Sequence, residues 1–174
     1  PTSPTTWSNL YCCAVATDAD GDSVSYLVEW YKSTDGGATF ELVEGQTTKS
    51  LSKTLTTKHD LWRCVIQASD GLDLGPKGQA DITILNTPPR LTDPADAMLK
   101  VGQLFELQLA VTDPDGDPVT CSVMPLPPGA QMTTRGLFRW TPTSSQIGVW
   151  NLIFEANDGD GGISTVSVVF EVVS

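Results

Sequence analysis

The chain has 174 residues, 40% of them apolar and 18% charged, and carries a formal charge of −11. An evenly acidic surface repels nucleic acid and anionic lipid, which excludes both as partners, and it favours divalent cations and solubility. No apolar run approaches the ~20 residues of a membrane-spanning helix, so membrane insertion is not expected.

Read from its start, Pro1-Thr2-Ser3-Pro4 has the composition of a linker and no signal peptide is present. Composition therefore predicts a segment excised from a longer secreted polypeptide. Helical periodicity is nearly absent, whereas alternation of apolar and polar residues is common. In the first half, strands are predicted over 9–17, 24–31, 61–68 and 80–85, in runs rich in Val, Thr and aromatics bounded by Gly, Pro, Asp and Asn. Ser33-Thr34-Asp35-Gly36-Gly37 reads as a hairpin turn leading to 40–43, because Asp-Gly tolerates positive φ. In the second half, strands are predicted over 105–111, 119–124, 149–156 and 163–173. Phe105-Glu106-Leu107-Gln108-Leu109-Ala110-Val111 shows the cleanest alternation.

Two motifs recur. Asp18-Ala19-Asp20-Gly21-Asp22 matches Asp113-Pro114-Asp115-Gly116-Asp117, and Ser69-Asp70-Gly71 matches Asn157-Asp158-Gly159. The chain therefore reads as two copies of one module, 1–86 and 87–174, divided at Asn86-Thr87-Pro88-Pro89, where adjacent prolines cannot continue a ladder. The predicted fold is all-β, two Greek-key sandwiches in tandem. With the first motifs superimposed, Cys12 falls on Leu107 and Cys13 on Gln108. With the second superimposed, Trp62 falls on Trp150 and Cys64 on Leu152. Leu107 and Leu152 face the core by alternation, so Cys12 and Cys64 are expected to do so. Trp30 shares the inward parity of Val24, Tyr26 and Val28.

Cys12…Trp30…Cys64 resembles the cysteine–tryptophan–cysteine order of an immunoglobulin-like (Ig-like) sandwich, with Trp62 where the tyrosine of the tyrosine corner usually stands. A tryptophan offers only an N–H there, so any corner bond must differ. Asp60 lies four residues before Cys64, displaced from the acidic position of antibody domains. This half, with "DADGDSVSYLVEWYKS" and "HDLWRCVIQASDG", is similar to Ig-like repeats of large secreted bacterial proteins. The second half, with "DPDGDPVTCSV", "PPGAQMTTRGLFRWTPT" and "GVWNLIFEANDGDGG", resembles the putative-Ig and dystroglycan-type cadherin-like repeats of bacterial surface proteins. The resemblance implies extracellular structural modules, sometimes stiffened by calcium, without catalysis of their own. It also implies a Cys12–Cys64 disulfide, which would close a loop of roughly 50 residues and contribute ~2–4 kcal/mol; two buried thiols are the alternative. Cys13 is expected to face outward and Cys121, which matches Tyr26, inward, so a bridge between them is not expected.

In an Ig-like topology the two acidic motifs of a module lie at the same end. Asp113, Asp115 and Asp117 are then expected to face Asn157, Asp158 and Asp160, and in the first half Asp18, Asp20 and Asp22 to face Asp70. Carboxylates so close repel unless bridged, and Ca²⁺, a hard oxygen-seeking cation, bridges them well. The chain enters each module at that end, which places the second cluster near Asn86 on sequence grounds. The motif is not an EF-hand, since Gly116 comes at the fourth place and Met124 at the twelfth. The duller reading is that Asp-Gly and Asp-Pro simply form solvated turns.

No enzyme is expected. His59 is the only histidine, which supports neither a His-rich zinc site nor a familiar triad, and no Gly-rich phosphate loop leads from a strand into a helix. The expected function is a non-catalytic extracellular spacer, adhesive stalk or filament-building segment at a bacterial surface. Its expected partners are neighbouring Ig-like domains of the same or another chain, a cell-surface protein or a polysaccharide. The alternative is a carbohydrate- or ligand-binding module of a secreted enzyme, with Trp7, Tyr31 and Trp140 as a sugar-binding face. The Val-rich end of the chain, 163–173, is the candidate for strand addition to a neighbour, and otherwise the last strand of its own sandwich.

Overall fold

The computed structural model describes Thr2–Ser174. The chain forms two compact units, Pro1–Asn86 and Thr87–Ser174, called modules 1 and 2 below. Both are β-sandwiches of Ig-like type, with short 3-10 turns and no α-helix among the described residues.

In module 1 the larger sheet is built on β2 (Ser25–Ser33) and β5 (Leu61–Ser69), flanked by β3 (Glu41–Leu42) and β6 (Leu74–Thr83) in the order β3-β2-β5-β6. Facing it, β1 (Leu10–Tyr11) pairs with β4 (Ser50–Leu51). The β2–β3 turn is the hairpin read from Asp-Gly. Ser33 Oγ donates to Asp35 Oδ1 at 2.7 Å, Thr39 N donates to the same oxygen at 3.0 Å, and Gly36 and Gly37 take φ of 72° and 95°. Trp30 lies opposite Cys64 in the β2–β5 ladder and is 2% exposed. Its ring meets Trp62 edge-on, with centroids 6.5 Å apart, and its Nε1–H donates to the Thr48 carbonyl at 2.9 Å. The Cys12–Cys64 disulfide crosses between the sheets beside them, with a Cα–Cα distance of 6.1 Å. Cys13 is exposed. The tyrosine-corner bond has no counterpart: Trp62 Nε1 is buried without a hydrogen-bond partner. Near it, the buried Asp60 accepts from Thr57 N at 2.7 Å and from Lys32 Nζ at 2.7 Å.

In module 2 the larger sheet is β11-β14-β15-β8, with β8 (Ala97–Lys100), β11 (Thr120–Met124), β14 (Gly148–Asn157) and β15 (Ile163–Val173). The facing sheet is β12-β13-β9, with β9 (Phe105–Gln108), β12 (Gln131–Met132) and β13 (Leu137–Trp140). β7 (Arg90–Leu91) pairs with β10 (Val111–Thr112). Phe138 fills the centre between the sheets. It meets Phe154 edge-on at 5.4 Å and stacks on Phe170 at 5.9 Å, and all three are fully buried. Leu152 stands where module 1 has Cys64, so apolar contact does here what a covalent bond does there. Cys121 is buried, which pushes its thiol pKa up.

Several strand boundaries differ from those read off the sequence. Only Leu10–Tyr11 of 9–17 forms a ladder, because its partner β4 is two residues long; Cys12 N adds one bond to Lys49 O at 2.7 Å. The run 105–111 is split: β9 pairs with β13, Leu109 N turns to Gly136 O at 2.9 Å, and β10 pairs with β7. The strand expected over 80–85 begins at Leu74, where Gly and Pro masked it. β15 is the last strand of its own sandwich, held by β14 along one edge and by β8, in parallel, along part of the other. That pairing removes the motive for treating 163–173 as a free edge.

Candidate metal centre

Both acidic loops fold by the same device. Asp113 Oδ1 accepts from Asp115 N at 2.8 Å and Asp117 N at 3.0 Å. Asp18 Oδ1 accepts from Asp20 N at 2.8 Å and Asp22 N at 3.1 Å. Each first aspartate thus ties down two amides of its loop, and the glycine at the fourth place, Gly21 or Gly116, takes φ of 89° or 80°. The second motifs also match. Asp158 Oδ1 accepts from Asp160 N at 2.8 Å and Gly162 N at 2.9 Å, and Asp70 Oδ1 accepts from Leu72 N at 2.7 Å and Asp73 N at 2.6 Å. The Asp73 and Leu72 amides hold the Asp70 carboxyl below the ordinary value of 3.8.

What the two clusters do with their remaining oxygens differs. Among the described residues, one group of acidic side chains converges closely enough to share a cation: Asp113, Asp115 and Asp117, with an oxygen from each lying within 4.8 Å of the others. Asp18, Asp20, Asp22 and Asp70 are not brought together in this way. Asp113 Oδ2 is buried and has no hydrogen-bond partner. A buried carboxylate oxygen without a donor is costly, and a cation is the partner that chemistry supplies. Asp115 Oδ2 accepts from Thr87 N at 2.7 Å, which joins the first residue of the module to the loop.

The β11–β14 ladder pairs Thr120 with Asn157, which puts the loop before β11 and the loop after β14 at one end of the sheet. Asn157 Oδ1 accepts from Gly159 N at 2.8 Å, and Asp158 is buried. The carboxyls of Asp158 and Asp160 do not belong to the converging trio. The donor set is thus all oxygen and anionic, which suits a hard divalent ion. The backbone amide of Thr87 was not legible in the sequence, since any residue could have supplied it.

Of the three aromatics expected on a sugar-binding face, Trp140 is not accessible. Trp140 is 1% exposed and packs against Trp150 at 5.2 Å, whereas Trp7 lies in the other module and is 44% exposed. His59 sits in a turn with φ of 68°, its N–H donating to Ile84 O at 2.7 Å.

Residues 88–173 match the family model described as Putative Ig domain. Module 2 belongs to that family. No curated protein sequence matches the chain. Among solved structures, cadherin repeats EC21–23 of human CDH23 are 16% identical, covering 98% of this chain and 66% of that one at a TM-score of 0.43. Hemolin, an insect immune protein, is 17% identical over 87% of this chain and 43% of its own, with a TM-score of 0.44. A putative α-galactosidase from Bacteroides fragilis is 18% identical over 53% of this chain, at a TM-score of 0.44. The chain spans only 19% of that protein's length.

Proposed function

We propose that the chain is a non-catalytic, extracellular pair of Ig-like modules that serves as a structural or adhesive segment of a bacterial surface or secreted protein, with module 2 stiffened by calcium. Its working partners are other Ig-like domains, of the same or another chain. Asp113, Asp115 and Asp117 hold the ion, and the buried, donor-less Oδ2 of Asp113 is the observation that carries the assignment. Calcium supplies positive charge to that oxygen and relieves repulsion among the three carboxylates. Asp158 and Asp160 flank the same end of the sheet and add to the negative field. Because Asp115 also receives the Thr87 N–H, ordering the loop orders the start of the module. A stiff module transmits force and presents a fixed surface, which a spacer or stalk requires.

The test is thermal unfolding of chelated protein during calcium titration. A cation that binds the folded state alone raises stability by RT ln(1 + [Ca²⁺]/Kd), roughly 2.7 kcal/mol at a hundredfold excess over Kd. The module 2 transition is expected to rise and the module 1 transition to stay in place. Asp113→Asn is expected to abolish the rise. An unchanged curve at millimolar calcium would reduce the trio to a solvated turn.

A further inference from the structure

The outward face of the larger sheet differs between the modules. In module 1 it is charged: Arg63 and Asp81 lie opposite each other in the β5–β6 ladder and bond at 2.7 Å, and Lys77 Nζ stands 3.5 Å from Glu29 Oε2. Superimposing the second motifs puts Asn151 in the place of Arg63 and Val169 in that of Asp81. Ile153 and Val149 lie two residues to either side of Asn151 on β14, and Val169 stands opposite it on β15. Met124 pairs with Ile153 across the β11–β14 ladder, and Met98 with Glu171 across the β15–β8 ladder, which carries the apolar surface onto both outer strands. These five apolar side chains are between 37% and 71% exposed.

The area of this face and the chemistry at its centre point to one occupant. Five apolar side chains at that exposure present roughly 500 Å², toward the upper end of the largest patch on a typical monomer. One side of a standard interface buries about 800 Å², about 60% of it apolar, which is again close to 500 Å². The polar group in the middle is an amide. Asn151 is exposed and carries both a donor and an acceptor, so it can pair reciprocally with an identical side chain across a two-fold axis, as neither a carboxylate nor an ammonium can.

We propose that module 2 pairs through this face with module 2 of a second copy of this chain. The two-fold axis crosses the strands along the Asn151–Val169 row. Asn151 then meets Asn151 of the second copy, Val169 meets its counterpart, and Ile153 meets Val149 of the second copy. Ser167 and Glu171 stand two residues to either side of Val169, so Glu171 meets Ser167 of the second copy and carboxylates are not opposed there. Glu155, four residues from the axis on β14, lies at the rim. The strands of the two sheets stay nearly aligned, one of the two ways in which sheets stack. This deepens the reading that other Ig-like domains are the working partners, by naming one, and it uses no residue of the acidic trio.

Sedimentation equilibrium of the full chain in calcium reads the pairing, in a Cys13→Ser background that excludes bridges through the exposed thiol. The average mass is expected to rise from 18.6 kDa toward twice that value as concentration approaches about 1 mM. Asn151→Asp keeps the shape but sets two carboxylates on the axis, and Ile153→Glu sets a charge against Val149 of the second copy. Each is expected to weaken pairing by about tenfold or more, and neither should move the melting curve of dilute monomer, since both side chains point outward. On mild oxidation Asn151→Cys is expected to cross-link two copies, whereas Thr165→Cys, about 13 Å from the axis along β15, should not. A chain that stays monomeric up to about 1 mM would overturn the proposal. So would a dimer that persists in both charged variants, or equal cross-linking by the two cysteine variants. A monomer would leave calcium-dependent melting in place, so the two readings fail separately.

Discussion

The N–H of Thr87 donates to Oδ2 of Asp115 at 2.7 Å, so the first residue of module 2 hangs on the middle carboxylate of its acidic loop. A hydrogen bond to a charged acceptor is worth ~1.5–3 kcal/mol when well shielded, and Asp115 is only half-buried, so the lower end applies. In chelator, Asp115→Ala is expected to cost about 1.5 kcal/mol and lower the module 2 melting temperature by about 6–12 °C. Asp115→Asn keeps an acceptor and should cost less. Calorimetry of the three proteins decides: if Asp115→Ala melts with the wild type, the bond contributes nothing.

The Cys12–Cys64 bridge joins residues 52 apart in sequence and lies against Trp30. Loop-closure entropy for a ring of that length amounts to about 4 kcal/mol in the chain-entropy model. Replacing both cysteines with alanine should therefore destabilise module 1 by about 2–5 kcal/mol. Module 2 has no bridge and a core of Phe138, Phe154 and Phe170, and its transition should not move. Two calorimetric transitions that shift together would mean that the modules do not melt independently.

Long alternating strands were legible because one face of each is buried: β15, with Val168, Phe170 and Val172 inward, was read with its observed ends. β4 and β12 were not legible, since two residues show no period. β13 is not legible either, although Phe138 and Trp140 alternate, because four residues beside Gly136 make no bounded run. In the acidic loops, repetition exposed the aspartates that cap their own turns. It did not show that Asp113 Oδ2 is left buried without a donor while the module 1 trio stays apart. That difference depends on how the loop packs, to which residue types alone are blind.

Acid should weaken module 1. Thr39 and Ser33 hold the Asp35 carboxyl far below its ordinary 3.8, and the Arg63 guanidinium, bonded at 2.7 Å through Nε, lowers that of Asp81. A carboxyl whose folded pKa is depressed contributes stability that is present above its unfolded pKa and is lost as pH falls through the folded one. The module 1 melting temperature should therefore hold near neutrality and decline below about pH 4. Both groups are largely exposed, so the decline should be shallower in high salt. Asp35→Asn should flatten it. An equally steep decline in that variant would assign the acid sensitivity to other carboxylates.

Gly136 closes the turn before β13, with its N–H on Thr133 O at 3.0 Å and its carbonyl receiving Leu109 N at 2.9 Å. Its φ is +87°, and a Cβ there would stand 3.2 Å from both Gln108 Nε2 and Leu109 Cβ and 3.4 Å from Cys121 Sγ. Gly136→Ala thus meets two costs, the left-handed backbone at about 1–2 kcal/mol and crowding against a buried wall. Gly129 separates them, because its φ is +81° but nothing lies within 4 Å of its added Cβ. Gly129→Ala should lower module 2 stability by about 1 kcal/mol, and Gly136→Ala by about 2 kcal/mol or more. Denaturant unfolding of both variants measures the difference. Equal losses would show that Gln108 and Cys121 give way freely, leaving backbone strain as the whole cost at Gly136.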